Sequence, residues 1–268
     1  MPKPAGDGDY VRSLERGLVV IQAFADHTSA LSLGEVAEIT GLSRPTVRRM
    51  LLTLTRMGYV RCDGRGFALT PRVLNLGYAY LSSLSVTDVA QPHLERLVEH
   101  TRESSSMAIL DDTEIVYIAR VPTKRIMSIV LAIGTRLPAY ATSMGRVLLA
   151  DLSEPDLDSY FARVELRPLT PRTVTDEQQL RTILTEVSER GWALVDQELE
   201  DGLRSIAAPV RNASGQVVAA LNSSSHAGRV PLETLRRSFL PSLVSTARRI
   251  SADLGAPLEP QDTSRRKE

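Results

Sequence analysis

Six arginines lie between Ser43 and Gly66, at positions 44, 48, 49, 56, 61 and 65, against one acid, Asp63. The stretch therefore carries a local excess of five positive charges (six minus one), in a chain whose 32 basic and 32 acidic residues cancel. Guanidinium forks match phosphate oxygens and the O6/N7 edge of guanine, so charge segregated in this way is the footprint of nucleic-acid binding. Val47, Met50, Leu51, Leu54 and Met57 recur at helical spacing and predict one buried stripe. Arg44, Thr46, Arg48, Arg49 and Thr53, with Ser43 at the start, are then left on the outside, where a helix entering the major groove makes its contacts.

Such a helix needs a partner to hold it. Leu33 to Val60 supplies one, and the stretch reads as a helix-turn-helix. Ser32 and Glu35 have the spacing of a capping box, Gly41 can take the left-handed backbone of a sharp turn, and Ser43 is placed as N-cap ahead of Pro45. Two alternating runs around Asp63-Gly64 predict a hairpin wing carrying Arg61 and Arg65, with Cys62 as its small apolar filler. A helix from Ser13 to about Ala25, with Leu14, Leu18 and Ile21 inward, completes the core.

Stepping outward, residues 1–10 read as a disordered tail, 11–70 as the winged domain and 71–85 as a connecting helix. That helix has apolar groups on more than one side, so it pairs with a second copy or docks on its own chain. Residues 86–256 change to mixed helices and strands, mostly joined as hairpins, which indicates an α+β domain with an antiparallel sheet. The expected strands are Ser106 to Leu110, Glu114 to Val121, Ile126 to Ile133, Trp192 to Val195, Ser205 to Val210 and Val217 to Asn222. The tail 257–268 is polar. The chain has no run of about 18 apolar residues, and its start lacks a hydrophobic signal segment, so a cytoplasmic protein is expected. One cysteine and four scattered histidines suggest no metal site and no cofactor.

The order of elements resembles the IclR family of bacterial transcription regulators over nearly the whole chain, from Tyr10 to Leu254. The specific stretches are SLERGL at Ser13, LSRPTVRR at Leu42, GTRLPAYATSMGRVLLA at Gly134 and GLRSIAAPV at Gly202. Within the family, the phrases RLPAYATSMGRVLLA and GWALVDQELEDGLRSIAAPV are most similar to the branch controlling the β-ketoadipate pathway. The resemblance implies a GAF-like effector domain sensing a small carboxylate: protocatechuate, 4-hydroxybenzoate or β-ketoadipate. It also implies a homodimer on an operator in double-stranded DNA, with pairing of two dimers left open.

The resemblance places the effector pocket on one face of the sheet, with Ile126, Ile129 and Leu137 as apolar wall, Ser143 and Met144 at a helix start, and Ser205, Asn222 and Ser224 on later strands. Polar groups on strands that otherwise read as core need a partner, which agrees with that location. Arg136 or Arg204 are the arginines considered for the carboxylate. Where many relatives carry two consecutive acids, this chain has Val195 and then Asp196. Two rivals stand beside this reading. An enzyme acting on an aromatic acid is opposed by the lack of a G-x-S-x-G elbow around Ser143. The run Asp196, Glu198, Glu200 and Asp201 reads as a solvated loop rather than a metal site. A winged helix that binds protein would show little dependence on salt. A family member serving another small-metabolite pathway is the third alternative.

Overall fold

Ser32 starts the organisation of the first unit. Its hydroxyl accepts from the Glu35 amide at 3.3 Å, and its own amide donates to the Glu35 carboxylate at 2.7 Å, forming the expected capping box. Helix α2, Leu33–Thr40, runs from it and stops at Gly41, whose φ of 65° is the left-handed turn most side chains avoid. Leu42 packs into the core, and α3, Arg44–Arg56, follows with Pro45 in its first turn. Ser43 holds the extended N-cap backbone, but its hydroxyl pairs with the Thr46 hydroxyl at 2.9 Å and not with a helix amide.

This computed structural model describes residues 10–25, 27, 29–64, 66–76, 85–123 and 131–257, and the chain forms two units, Met1–Ser83 and Leu84–Glu268. In the first, α1, Arg12–Gln22, joins α2 and α3 around Val20, Phe24, Val36, Val47, Leu51, Leu54 and Val60. Burying each such aliphatic side chain contributes about 1.5–3 kcal/mol relative to exposure. The expected inner stripe of α1 is corrected: Leu14 and Leu18 are exposed, because only the C-terminal end of this helix reaches the core. Met57, at the end of α3, is also exposed.

The wing consists of β1, Val60–Cys62, and β2, Phe67–Leu69. Cys62 pairs with Phe67, so residues 63–66 form a four-residue loop in place of the two-residue turn that Asp63-Gly64 suggests. Phe67 also exchanges both backbone hydrogen bonds with Leu31, at 2.8 Å each, and this second partner fixes where β2 begins. Cys62 is exposed at the open end of β1 and fills nothing. Pro71–Val73 begins the expected connecting segment as a 3-10 turn, capped by Thr70; residues 77–84 lie outside the described residues.

The second unit opens with α4, Ser85–Thr101, and the hairpin of β3, Ser104–Asp111, and β4, Glu114–Val121. A short edge strand β5, Arg136–Pro138, precedes α5, Ser143–Leu149, α6, Glu154–Phe161, and α7, Glu177–Arg190. Then come β6, Ala193–Asp196, β7, Leu203–Arg211, and β8, Val217–His226. A turn of helix at Leu232–Thr234 and a π-helical segment at Leu235–Phe239 lead into α8, Leu240–Asp253. The six strands form one antiparallel sheet in the order β5-β4-β3-β8-β7-β6. Most of the strand expected at Ile126 to Ile133 lies outside the described residues, and 131–135 are not strand; β5 was not foreseen.

One irregularity bears on the site. Met107 pairs with Ala119 and Ala108 with Tyr117, so Ile118 is an extra residue in β4. Such a bulge shifts which side chains share a face. Tyr117 and Arg120, three residues apart, therefore come to the same side of the sheet.

Candidate functional site

In the first unit Arg44, Arg48 and Arg49 all stand exposed on α3, as the spacing requires, and none forms an ion pair among the described residues. The hydroxyls expected beside them are engaged: Thr53 donates to the Arg49 carbonyl at 2.8 Å, and Thr46 is held by Ser43. On the wing, Arg61 bonds Asp63 at 2.8 Å between two exposed side chains, an arrangement worth little and open to exchange for a phosphate. Arg65 lies outside the described residues. The surface thus offers the guanidiniums of Arg44, Arg48 and Arg49 on the recognition helix and, on the wing, that of Arg61 held by Asp63.

In the second unit, the packing of α5 on the sheet creates a cavity. Gly145 makes that packing close: a Cβ there would fall 2.1 Å from the Ala139 carbonyl oxygen, so only glycine allows α5 this approach. Thr142 is the N-cap of the helix, accepting from the Gly145 amide at 3.1 Å, which leaves the Ser143 hydroxyl for the sheet. Ser205 on β7 donates to it at 2.9 Å. On β8, the Asn222 amide nitrogen donates to the Ser224 hydroxyl at 3.0 Å, and its oxygen accepts from the Ser106 amide at 3.0 Å.

These groups line one cavity together with Tyr117, Leu131, Ala141, Met144, Val195, Leu199 and Leu203. It is a narrow cleft; all the empty space among these residues, open solvent included, comes to about 460 Å³. Of the residues singled out from sequence, Ser143, Met144, Ser205, Asn222 and Ser224 meet there. Leu137 does not: on β5 it pairs with Ile115 of β4 and packs against the hydrophobic core. Ile126 and Ile129 lie outside the described residues. Tyr117 was missed because strict alternation does not anticipate the bulge beside it. Leu199 sits in a loop that has no period to read, and Leu203 is the first residue of β7, ahead of the strand expected from Ser205.

The two arginines considered for a carboxylate are both committed elsewhere. Arg136 is half exposed and bonds Asp111 and Glu114, each at 2.7 Å; these hydrogen bonds raise its pKa. Arg204 grips Asp196 at 2.7 Å and donates to the Val230 carbonyl at 2.8 Å. Burial alone would raise the Asp196 carboxyl, but the Arg204 guanidinium outweighs it and holds the group below its usual range. Glu198 is not the solvated acid expected either. It is buried, bound by Arg146 of α5 at 2.8 Å and by the Val174 amide at 3.1 Å. Among the described residues no three metal-ligating side chains gather, and no helix is long and apolar enough to cross a membrane.

A winged helix-turn-helix with free arginines, in a chain whose second unit carries a cavity lined by hydroxyls, defines a transcription regulator with a small-molecule domain. The family models agree with that class. Residues 13–64 match the IclR helix-turn-helix domain and residues 78–252 match the IclR C-terminal domain of bacterial transcriptional regulators, so the chain belongs to the IclR family. It is 47% identical over 244 residues to the Pca regulon regulatory protein of Pseudomonas putida, covering 91% of this chain and 84% of that one. It is 39% identical over 244 residues to the p-hydroxybenzoate hydroxylase transcriptional activator of Acinetobacter baylyi, covering 89% and 90%. A crystal structure of an IclR homologue from Microbacterium hydrocarbonoxydans, complexed with 4-hydroxybenzoate, superposes with a TM-score of 0.82 at 26% identity, covering 90% of this chain and 98% of that one.

Proposed function

We propose that this chain regulates genes of aromatic-acid catabolism, binding operator DNA through α3 and the wing, and a small carboxylate through the cavity under α5. The cavity carries this reading: its hydroxyls and amide, Ser143, Ser205, Asn222 and Ser224, converge on one space in a chain similar to regulators of the pca regulon and of p-hydroxybenzoate hydroxylase. The acids in view are protocatechuate, 4-hydroxybenzoate and β-ketoadipate. In the DNA-binding unit, Arg44, Arg48 and Arg49 meet base edges and phosphates, Arg61 and Arg65 reach the backbone beside the groove, and the hydroxyls of Ser43, Thr46 and Thr53 reach phosphates or base edges.

The protein acts as a homodimer, with two dimers able to share an operator. The exposed Leu14, Leu18, Leu74 and Leu76 of the first unit support a second copy, since apolar groups of this size gain by being covered. The effector works by population shift: it binds one arrangement of the dimer more tightly and so changes operator affinity by that differential. No catalytic step belongs to this proposal; the Ser143 hydroxyl is bonded by Ser205. A bacterial regulator of this kind works in the cytoplasm.

A thermal-shift screen with protocatechuate, 4-hydroxybenzoate, β-ketoadipate and catechol tests the reading, because a ligand of the folded state raises the melting temperature by mass action. A shift with one of the acids is expected. No shift with any of them removes the aromatic-acid assignment and leaves the DNA-binding role standing.

A further inference from the structure

An organic anion held in this cavity needs a positive partner, and the groups first considered for that task are not free. Helix α5 is only seven residues long, and two of its N-terminal amides are taken: Gly145 donates to Thr142 Oγ1 and Arg146 to the Thr142 carbonyl. Arg136, Arg146 and Arg204 are bound to carboxylates. Among the described residues, Arg120 is an arginine on the cavity's side of the sheet that remains. Arg120 on β4 stands in register with Ser106, and Ser106 with Asn222, so the three share the face that carries the cavity. Its Nη1 is buried and has no hydrogen-bond partner among the described residues. No ion pair among the described residues includes it.

A buried guanidinium nitrogen left without an acceptor carries a desolvation cost, which a carboxylate would remove. Arg120 lies outside the cavity wall, past Tyr117, and the side chain between it and Asn222 is the small Ser106. Two strand spacings separate Arg120 from Asn222, roughly 10 Å between their α-carbons. Tyr117, which lines the cavity, senses the arginine: burial pushes its phenol up to about 12 while the positive charge of Arg120 opposes the rise. Burial lowers Arg120 in turn.

We propose that Arg120 is the carboxylate anchor of the effector site, pairing with the acid group while the hydroxyls of Ser143, Ser205 and Ser224 meet the other end of the ligand. The assignment rests on the aromatic-acid reading given above. It makes the site selective for the ionised acid over uncharged analogues of the same shape, because hydrogen bonds to a charged group are about twice as strong as neutral ones.

The test is calorimetric titration of full-length wild type, Arg120→Met and Arg120→Lys with 4-hydroxybenzoate and with 4-hydroxybenzamide, each variant first checked by its melting curve. Wild type should prefer the acid by at least about tenfold. Arg120→Met should lose about 10- to 100-fold in affinity for the acid and stay within about threefold for the amide, and Arg120→Lys should recover part of the loss. Folded Arg120→Met that binds the acid as wild type does overturns the anchor and leaves the effector reading intact. Wild type that binds the amide as tightly as the acid overturns it without any variant, which covers the case of an unfolded mutant. Wild type that binds neither overturns the anchor as one for 4-hydroxybenzoate, while the effector reading stands or falls with the thermal-shift screen.

Discussion

Ser205 on β7 donates a 2.9 Å hydrogen bond to Ser143 at the start of α5, joining the sheet to the helix that roofs the cavity. Both residues are buried, so neither hydroxyl has ready solvent to replace the other. Ser205→Ala and Ser143→Ala should each destabilise the protein by about 1 kcal/mol, and the double variant should cost less than the sum, with a coupling of about 0.5–1.5 kcal/mol. Urea unfolding of the four proteins measures this. Additive losses would mean the two hydroxyls act separately.

The Arg146–Glu198 pair ties α5 to the loop that follows β6, next to the cavity residue Leu199. Both partners are nearly inaccessible, and removing one leaves a buried charge uncompensated. Glu198→Gln should therefore destabilise by about 3–5 kcal/mol. Chemical denaturation checks the size, and a loss below about 1 kcal/mol would place the pair in water.

On the DNA side, Arg48→Ala with Arg49→Ala should abolish operator binding with little change in melting temperature, since both side chains are exposed on α3. Where residual binding is measurable, the slope of log affinity against log salt should fall by about one for each arginine that contacts a phosphate. Retained binding at full salt dependence would move the interface away from α3.

The alkaline titration of Tyr117 reports on its neighbour. Its folded pKa, about 12, is above the ordinary value of 10.0, so its contribution to stability is complete below about pH 10 and is lost as pH rises through 12. Absorbance at the phenolate band should show a tyrosine titrating this late, and Arg120→Met should delay it further by removing the opposing charge. An unshifted titration would separate the two side chains.

Ser32→Ala removes one half of the capping box of α2 and should cost about 1 kcal/mol, read from the melting curve.

Local chemistry was sufficient for the first unit because its signals are local. The capping box of Ser32 and Glu35, the left-handed Gly41 and the 3.6-residue stripe of Val47, Leu51 and Leu54 each act within a few residues, so their spacing alone determines two helices and the outward arginines. The same holds for the Asp176 cap and the Gly191 stop of α7. Long-range choices were not legible. Leu14 and Leu18 fit an inward stripe as well as Val20 does, and only the packing of α1 decides which are covered. Glu198 reads as a loop acid until Arg146, 52 residues away, buries it. Arg120 alternates out of reach of the cavity on paper, and a single extra residue in β4 turns it to the same face as Tyr117 and Asn222. Period and capping fix what one segment does; register, bulges and ion pairing depend on which segments meet, and only the folded chain decides that.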